Sequence, residues 1–304
     1  MSVSTLKNDT PEADQSPDQA VQEVFAPDRP DYRHRWAAGV EYQGTAYHGY
    51  QMQRGTAQTI QQHLQAAIGA VADHPVRLFC AGRTDARVHA TSQVIHFDTQ
   101  SERKPVGWVL GANTRLPDDI SLQWVKAVPH TFHARFVARA RRYRYLVYNH
   151  PVPSAVMRYA TTWEKRPLDE RRMQRAADYF TGTHDFSSFR AAECQAKSPV
   201  RTVHHCTVAR RGKLIVLDIR ADAFLHHMVR NIAGVLMAIG AGEAPVQWAA
   251  QVLASRSRSQ GGVTARPDGL YLVGAEYDDA FQLPAPALGP AFLAQEILQP
   301  EGVS

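Results

Sequence analysis

One carboxylate sits between two guanidinium side chains in Cys80-Ala81-Gly82-Arg83-Thr84-Asp85-Ala86-Arg87-Val88-His89-Ala90. An arginine two residues away keeps a desolvated aspartate ionised, because a nearby positive charge offsets the cost of burying the anion. A charged carboxylate held in this way can attack carbon or stabilise a developing cation. The same residues also describe an aspartate in a solvated turn with a surface arginine partner.

Two short runs must position this loop. Val76 to Cys80 is apolar and β-branched at its start, and Gln93 to Phe97 sets Val94 and Ile95 among polar neighbours, as a partly buried strand does. Gly82 permits a tight exit from the first run, which places Arg83, Thr84 and Asp85 at a strand end, where side chains can face a cleft.

A second concentration of reactive and charged groups lies downstream. Five arginines, at 135, 139, 141, 142 and 144, fall within ten residues and alternate with Phe136, Tyr143 and Tyr145. On a strand, Tyr143 and Tyr145 share one face and Arg142 and Arg144 the other, so one side can hold a base while the other meets phosphate. A half-buried strand with a solvated basic face has the same pattern. Farther on, Leu225, Met228, Ile232, Leu236 and Ile239 recur at helical spacing as a core stripe, with Arg230 roughly opposite Met228 on the His226 face. The histidine pairs His204-His205 and His226-His227 do not read as metal ligands. Adjacent residues face opposite ways on a strand and diverge by about 100° on a helix, so no metal is expected. His184-Asp185 reads as a turn or surface contact.

Seven motifs resemble, in order, those of the TruA-type tRNA pseudouridine synthase family. They are Gly82-Arg83-Thr84-Asp85-Ala86 through Val88-His89-Ala90 with Gln93 to Phe97, Leu116 to Ile120, Phe132 to Phe136, Arg141 to Tyr145, Gly182 to Phe186, Phe224 to Asn231, and Thr264 to Tyr271. The likeness spans about Tyr32 to Tyr277. It implies an isomerase that turns uridine into pseudouridine at positions 38, 39 and 40 of the tRNA anticodon stem-loop, without cofactor or metal. By resemblance Asp85 is the nucleophile or the base that starts glycosidic cleavage, with Arg83 and Arg230 orienting it. Tyr143 stacks on the uracil, Leu270 packs against the base, and Arg142 and Arg144 contact the RNA. The family is typically a homodimer, so one tRNA is expected to touch both subunits. Position 87 departs from the pattern, being Arg where the family usually has Gly. If that glycine has positive φ, Arg87 strains or shifts the loop; if not, it adds a cation near the RNA.

Composition agrees with an RNA enzyme of the cytoplasm. Residues 1–30 hold two basic and six acidic residues, a net of −4, and residues 277–304 hold four acids and no base, again −4. With the chain at +5, residues 31–276 carry +13, which suits a polyanion. A noncatalytic RNA-binding protein fits that charge as well, and a metal-dependent nuclease fits the His and Asp content. Cys80, Cys194 and Cys206 make neither a disulfide framework nor a zinc spacing. The N-terminus has no apolar signal core, and the longest apolar stretch, Gly234 to Gly242, is too short to span a bilayer, so no membrane partner is expected.

Between an acidic, disordered tail at 1–30 and a second tail at 278–304, the patterning predicts two α+β halves, 31–148 and 149–277. They share a central antiparallel sheet with helices packed on it, each half ferredoxin-like by resemblance. Strands are expected at Tyr32 to Tyr42, Val76 to Cys80, Ser92 to Phe97, Ser121 to Val128, Arg141 to Tyr148, Arg201 to Arg210, Lys213 to Ala221 and Leu270 to Glu276. Helices are expected from Thr59, opened by a capping box with Gln62, and over Val106 to Asn113, Leu168 to Phe180 and Phe224 to Ala241.

Overall fold

The computed structural model describes residues 32–293, apart from 54, 56, 57 and 195; the acidic tail expected at 1–30 lies outside them. In chain order the elements are β1 (His34–Tyr42), α1 (Ile60–Ala72), β2 (Phe79–Cys80), β3 (His89–Thr99), α2 (Pro105–Asn113), β4 (Ile120–Val128), β5 (Ala140–Asn149) and β6 (Thr162–Glu164). They continue as α3 (Glu170–Ala177), β7 (Gly182–Asp185), β8 (Val200–Arg211), β9 (Leu214–Ala221), α4 (Met228–Gly240), α5 (Trp248–Ser255) and β10 (Leu270–Glu276), with short 3-10 turns between.

One sheet runs in the order β4-β1-β3-β10-β5-β9-β8-β7, with β2 added to β3 and β6 to β5. The expectation of a wholly antiparallel sheet needs one correction. β10 is antiparallel to β5 but parallel to β3, through Tyr271 opposite His89 and Leu272 opposite Ala90, and β6 is parallel to β5. The last strand inserts between β3 and β5, which run in opposite directions, so it is antiparallel to one and parallel to the other. This seam, only two residue pairs long, begins at the end of the loop that carries Asp85.

Side-chain alternation decides what each face covers. Trp36, Ala38, Val40 and Tyr42 of β1 and Tyr143, Tyr145 and Val147 of β5 enter one core with Ile60, Leu64 and Ile68 of α1, Trp108 of α2 and Ile232, Leu236 and Ile239 of α4. All the larger helices therefore pack on one face of the sheet. Ala37, Val94, Phe132 and Ala275 form a smaller cluster on the other face. The stretch read as a second tail lies on that side as far as residue 293, the last one described. Leu293 is buried with Leu146, Val216 and Val273, and the Thr91 hydroxyl donates to Ala287 O at 2.8 Å.

Local differences have local causes. Thr59 occupies the N-cap of α1, but its hydroxyl caps nothing and is buried without a partner. Gly49 O and Tyr50 O instead accept from the first-turn amides of Ile60 and Gln61, which removes the need for a capping box. α4 starts at Met228 rather than Phe224 because His227 takes φ 63°, ψ 3°, which a right-handed helix cannot contain. β6, β7 and α5 are too short for periodicity to reveal. Among the described residues no helix is long and apolar enough to cross a membrane.

Candidate active site

The loop from Ala81 to Val88 is tied down by backbone contacts that require small neighbours. Thr84 O accepts from Tyr50 N at 3.0 Å, Tyr47 O accepts from Arg87 N at 3.2 Å, and the Gln93 amide donates to Gly82 O at 2.6 Å. Two glycines permit this approach. A Cβ on Gly44 would lie 2.0 Å from Val88 O, and one on Gly49, itself at φ +94°, 2.7 Å from Thr84 O.

Asp85 then faces three cationic or protonatable groups from the other half. Its Oδ1 lies 3.2 Å from His226 Nε2, and its Oδ2 lies 3.3 Å from both His227 Nε2 and Arg230 Nη1. The left-handed turn at His227 makes this possible, since it folds both rings toward one carboxylate with centroids 4.1 Å apart. Burial pushes the Asp85 carboxyl up, but the His226 hydrogen bond and the charges of His227, His226 and Arg230 outweigh it and hold it below its ordinary value. The Asp85 hydrogen bond raises His226, while burial lowers His227. Arg230 is anchored in turn, its Nε donating to Ala265 O at 2.9 Å.

The expectation that His226 and His227 diverge is thus corrected: regular-helix geometry does not apply at their junction. Asp85, His226 and His227 offer three ligand atoms within 4.8 Å of one another, a set that could hold a metal ion. The Arg230 guanidinium on the same carboxylate opposes a second positive charge there.

Tyr143 is buried on the helix-facing side of β5, edge-on to Phe224, and its hydroxyl lies 3.7 Å from where a Gly82 Cβ would be. Burial and the Asp85 charge raise its phenol, so the hydroxyl stays protonated. Leu270 is buried in the main core beside Tyr145. Of the two arginines expected to orient Asp85, Arg230 pairs with it, while Arg83 is exposed and makes no ion pair with it. Arg142 and Arg144 are likewise not at this site. Arg142 Nε donates to Asp218 Oδ1 at 2.7 Å and Arg144 Nε to Oδ2 at 2.6 Å; Arg144 is buried, and Arg142 is partly exposed.

Arg87 answers the question its position raises. It has φ +68°, a left-handed conformation that costs a non-glycine residue about 1 kcal/mol. Its guanidinium crosses the seam to Asp268, at 3.0 Å from Nε and 2.5 Å from Nη2 to Oδ1.

A carboxylate kept ionised by groups from two α+β halves, beside a buried tyrosine, fits the pseudouridine synthase class that the motifs resemble. Comparison with known proteins agrees. A family model described as tRNA pseudouridine synthase matches residues 38–137 and 176–278. tRNA pseudouridine synthase A of Pseudomonas aeruginosa is 56% identical over 260 residues, 86% of this chain and 91% of that protein. The protein of the same name from Coxiella burnetii is 54% identical over 259 residues, 85% and 99% of the two chains, and that from Escherichia fergusonii 51% over 258 residues, 85% and 95%. The chain belongs to the tRNA pseudouridine synthase family, and is an isomerase acting on tRNA.

Proposed function

We propose that this enzyme isomerises uridines 38, 39 and 40 in the anticodon stem-loop, with Asp85 as the nucleophile. The observation that supports the reading most is the convergence of His226, His227 and Arg230 on one partly exposed carboxylate. The N1–C1′ bond of uridine breaks, the uracil turns, a C5–C1′ bond forms, and a proton leaves C5 while N1 gains one. No electrons are gained or lost and no water is consumed, so the chemistry asks for no cofactor. The base must leave the stack to reach Asp85, and Tyr143 offers its ring to the extruded uracil and its protonated hydroxyl to a proton transfer. Leu270 closes the apolar side of that pocket. Exposed Arg83 and Arg135 meet phosphate, while Arg142 and Arg144 brace the sheet through Asp218. The enzyme works in the cytoplasm as a homodimer, with one tRNA touching both subunits.

The Asp85-His226-His227 set also favours a second reading, metal-dependent RNA cleavage. Incubating uridine-labelled tRNA with the protein in excess chelator, then mapping modified positions, separates the two. Pseudouridine at 38, 39 or 40 in full-length tRNA is the expected result. Shortened RNA that requires added divalent metal would overturn it, and pseudouridine confined to another arm would overturn the stem-loop assignment.

A further inference from the structure

We infer that Arg87 is a positioning residue, whose ion pair with Asp268 sets the distance between Asp85 and Arg230. This rests on the reading of Asp85 as the reactive group. Asp85 and Arg230 lie on opposite sides of the junction between β3 and β10, which the sheet makes by only two parallel residue pairs. Contacts around that seam therefore control their spacing.

The contacts form a closed circuit. Arg230 and Ala265 are doubly bonded, Ala265 N donating to Arg230 O at 3.1 Å and Arg230 Nε donating to Ala265 O at 2.9 Å. The chain that follows is fixed to β5, on the other side of β10 from the Asp85 loop. The Tyr145 hydroxyl donates to Arg266 O at 2.9 Å, and a Cβ on Gly269 would lie 2.3 Å from Leu146 O, so this stretch packs backbone to backbone on β5. Asp268, whose side chain is 5% exposed, is thus a rigid post. Arg87 reaches it from the Asp85 loop, two residues beyond Asp85, and closes the circuit.

His89 adds a second tie at the same place. Its Nδ1 accepts from Gly44 N at 3.0 Å, which leaves Nε2 to donate to Asp268 O at 3.0 Å. The loop is therefore anchored on its own half by Gly44 and Tyr47 and on the other half by Arg87 and His89. A side chain at φ +68° is retained where glycine would relieve the backbone, which is what a cross-seam contact needs. The alternative is a phosphate contact, since the Arg87 side chain is 44% exposed.

Steady-state kinetics on tRNA transcript and amide hydrogen exchange of the RNA-free protein test the inference together. Arg87→Ala is expected to lower kcat about tenfold or more with KM within about twofold, because sub-ångström misplacement of reacting groups is costly. Exchange at residues 84–88 should rise at the same time. Arg87→Lys should recover most of the rate, Arg87→Gly should not, and Arg87→Ala combined with Asp268→Asn should be no slower than the slower single variant. Unchanged kcat in Arg87→Ala overturns the inference, as does a rise in KM alone with a flatter salt dependence, which marks a phosphate contact. Wild-type protein that makes no pseudouridine would count against the Asp85 reading, yet the exchange measurement would still decide the latch: unchanged exchange at 84–88 sinks it.

Discussion

Asp85 and Asp218 are built from the same parts. Each carboxylate gathers histidine and arginine, His226, His227 and Arg230 in one case and His205, Arg142 and Arg144 in the other. The difference lies in closure. Asp218 is 2% exposed and its partners stand at 2.6–2.9 Å, so its lone pairs are taken; Asp85 is 23% exposed and its partners stand at 3.2–3.3 Å. A saturated anion in the sheet is structural. One held ionised by loose, off-centre contacts keeps a lone pair for something else.

The strongest way to break that comparison is to neutralise each carboxylate in turn. Asp85→Asn is expected to lower single-turnover pseudouridine formation by about 10⁴-fold or more, with tRNA affinity within about tenfold, because distant phosphate contacts supply most binding. Unfolding midpoints should move little. Asp218→Asn should do the reverse, costing about 3 kcal/mol because Arg144 stays buried beside a neutral partner, while the folded fraction retains turnover. Substantial turnover by Asp85→Asn, or an Asp218→Asn protein as stable as wild type, would erase the distinction drawn from exposure.

How the two sites read from sequence differs for a physical reason. The Asp85 loop is local and its residue types are unusual together, so motif likeness finds Asp85, and the same likeness names Arg230 and Tyr143, which the structure brings beside it. The Asp218 cluster is invisible, since Arg142 and Arg144 meet a partner 76 and 74 residues away through strand register alone. Charge density on β5 consequently reads as an RNA surface, with no sign of the ion pairs that Arg142 and Arg144 make with Asp218. His226 and His227 fail to read for the opposite reason. Their spacing is correct for divergence in any regular element, and one left-handed residue cancels it. The parallel seam is likewise unreadable, because two residue pairs leave no periodicity.

Salt dependence sharpens the comparison on the RNA side. Arg83 and Arg135 are exposed, whereas Arg142 and Arg144 are held by Asp218. Replacing Arg83 or Arg135 with Ala should reduce the slope of log affinity against log salt by about 1 each, and replacing Arg144 should leave it unchanged. A flatter slope in Arg144→Ala at unchanged stability would show that the ion pair opens for RNA.

The smallest effect expected is a pH dependence at the Asp85 end only. Asp85 is lowered and His226 raised, with the Asp85 hydrogen bond the main cause for His226. A histidine raised on folding contributes stability that is fully present below its unfolded value near 6.5 and is lost as pH rises through the folded value. The lowered carboxylate contributes above its unfolded value near 3.8 and loses that contribution only as pH falls through the folded one. The Asp85–His226 contact is therefore strongest between those limits and fades on the alkaline side. Both groups are partly exposed, so solvent screens the effect. The midpoint of His226→Asn should lie about 1–2 °C below wild type at pH 6, and the two should coincide at pH 9. Buried His96 and His133 do not mimic this, since burial lowers them to about 2 and about 4 and they cost stability as pH falls below 6.5, equally in both proteins. A gap of the same size at both pH values would mean that His226 supports Asp85 by packing rather than by charge.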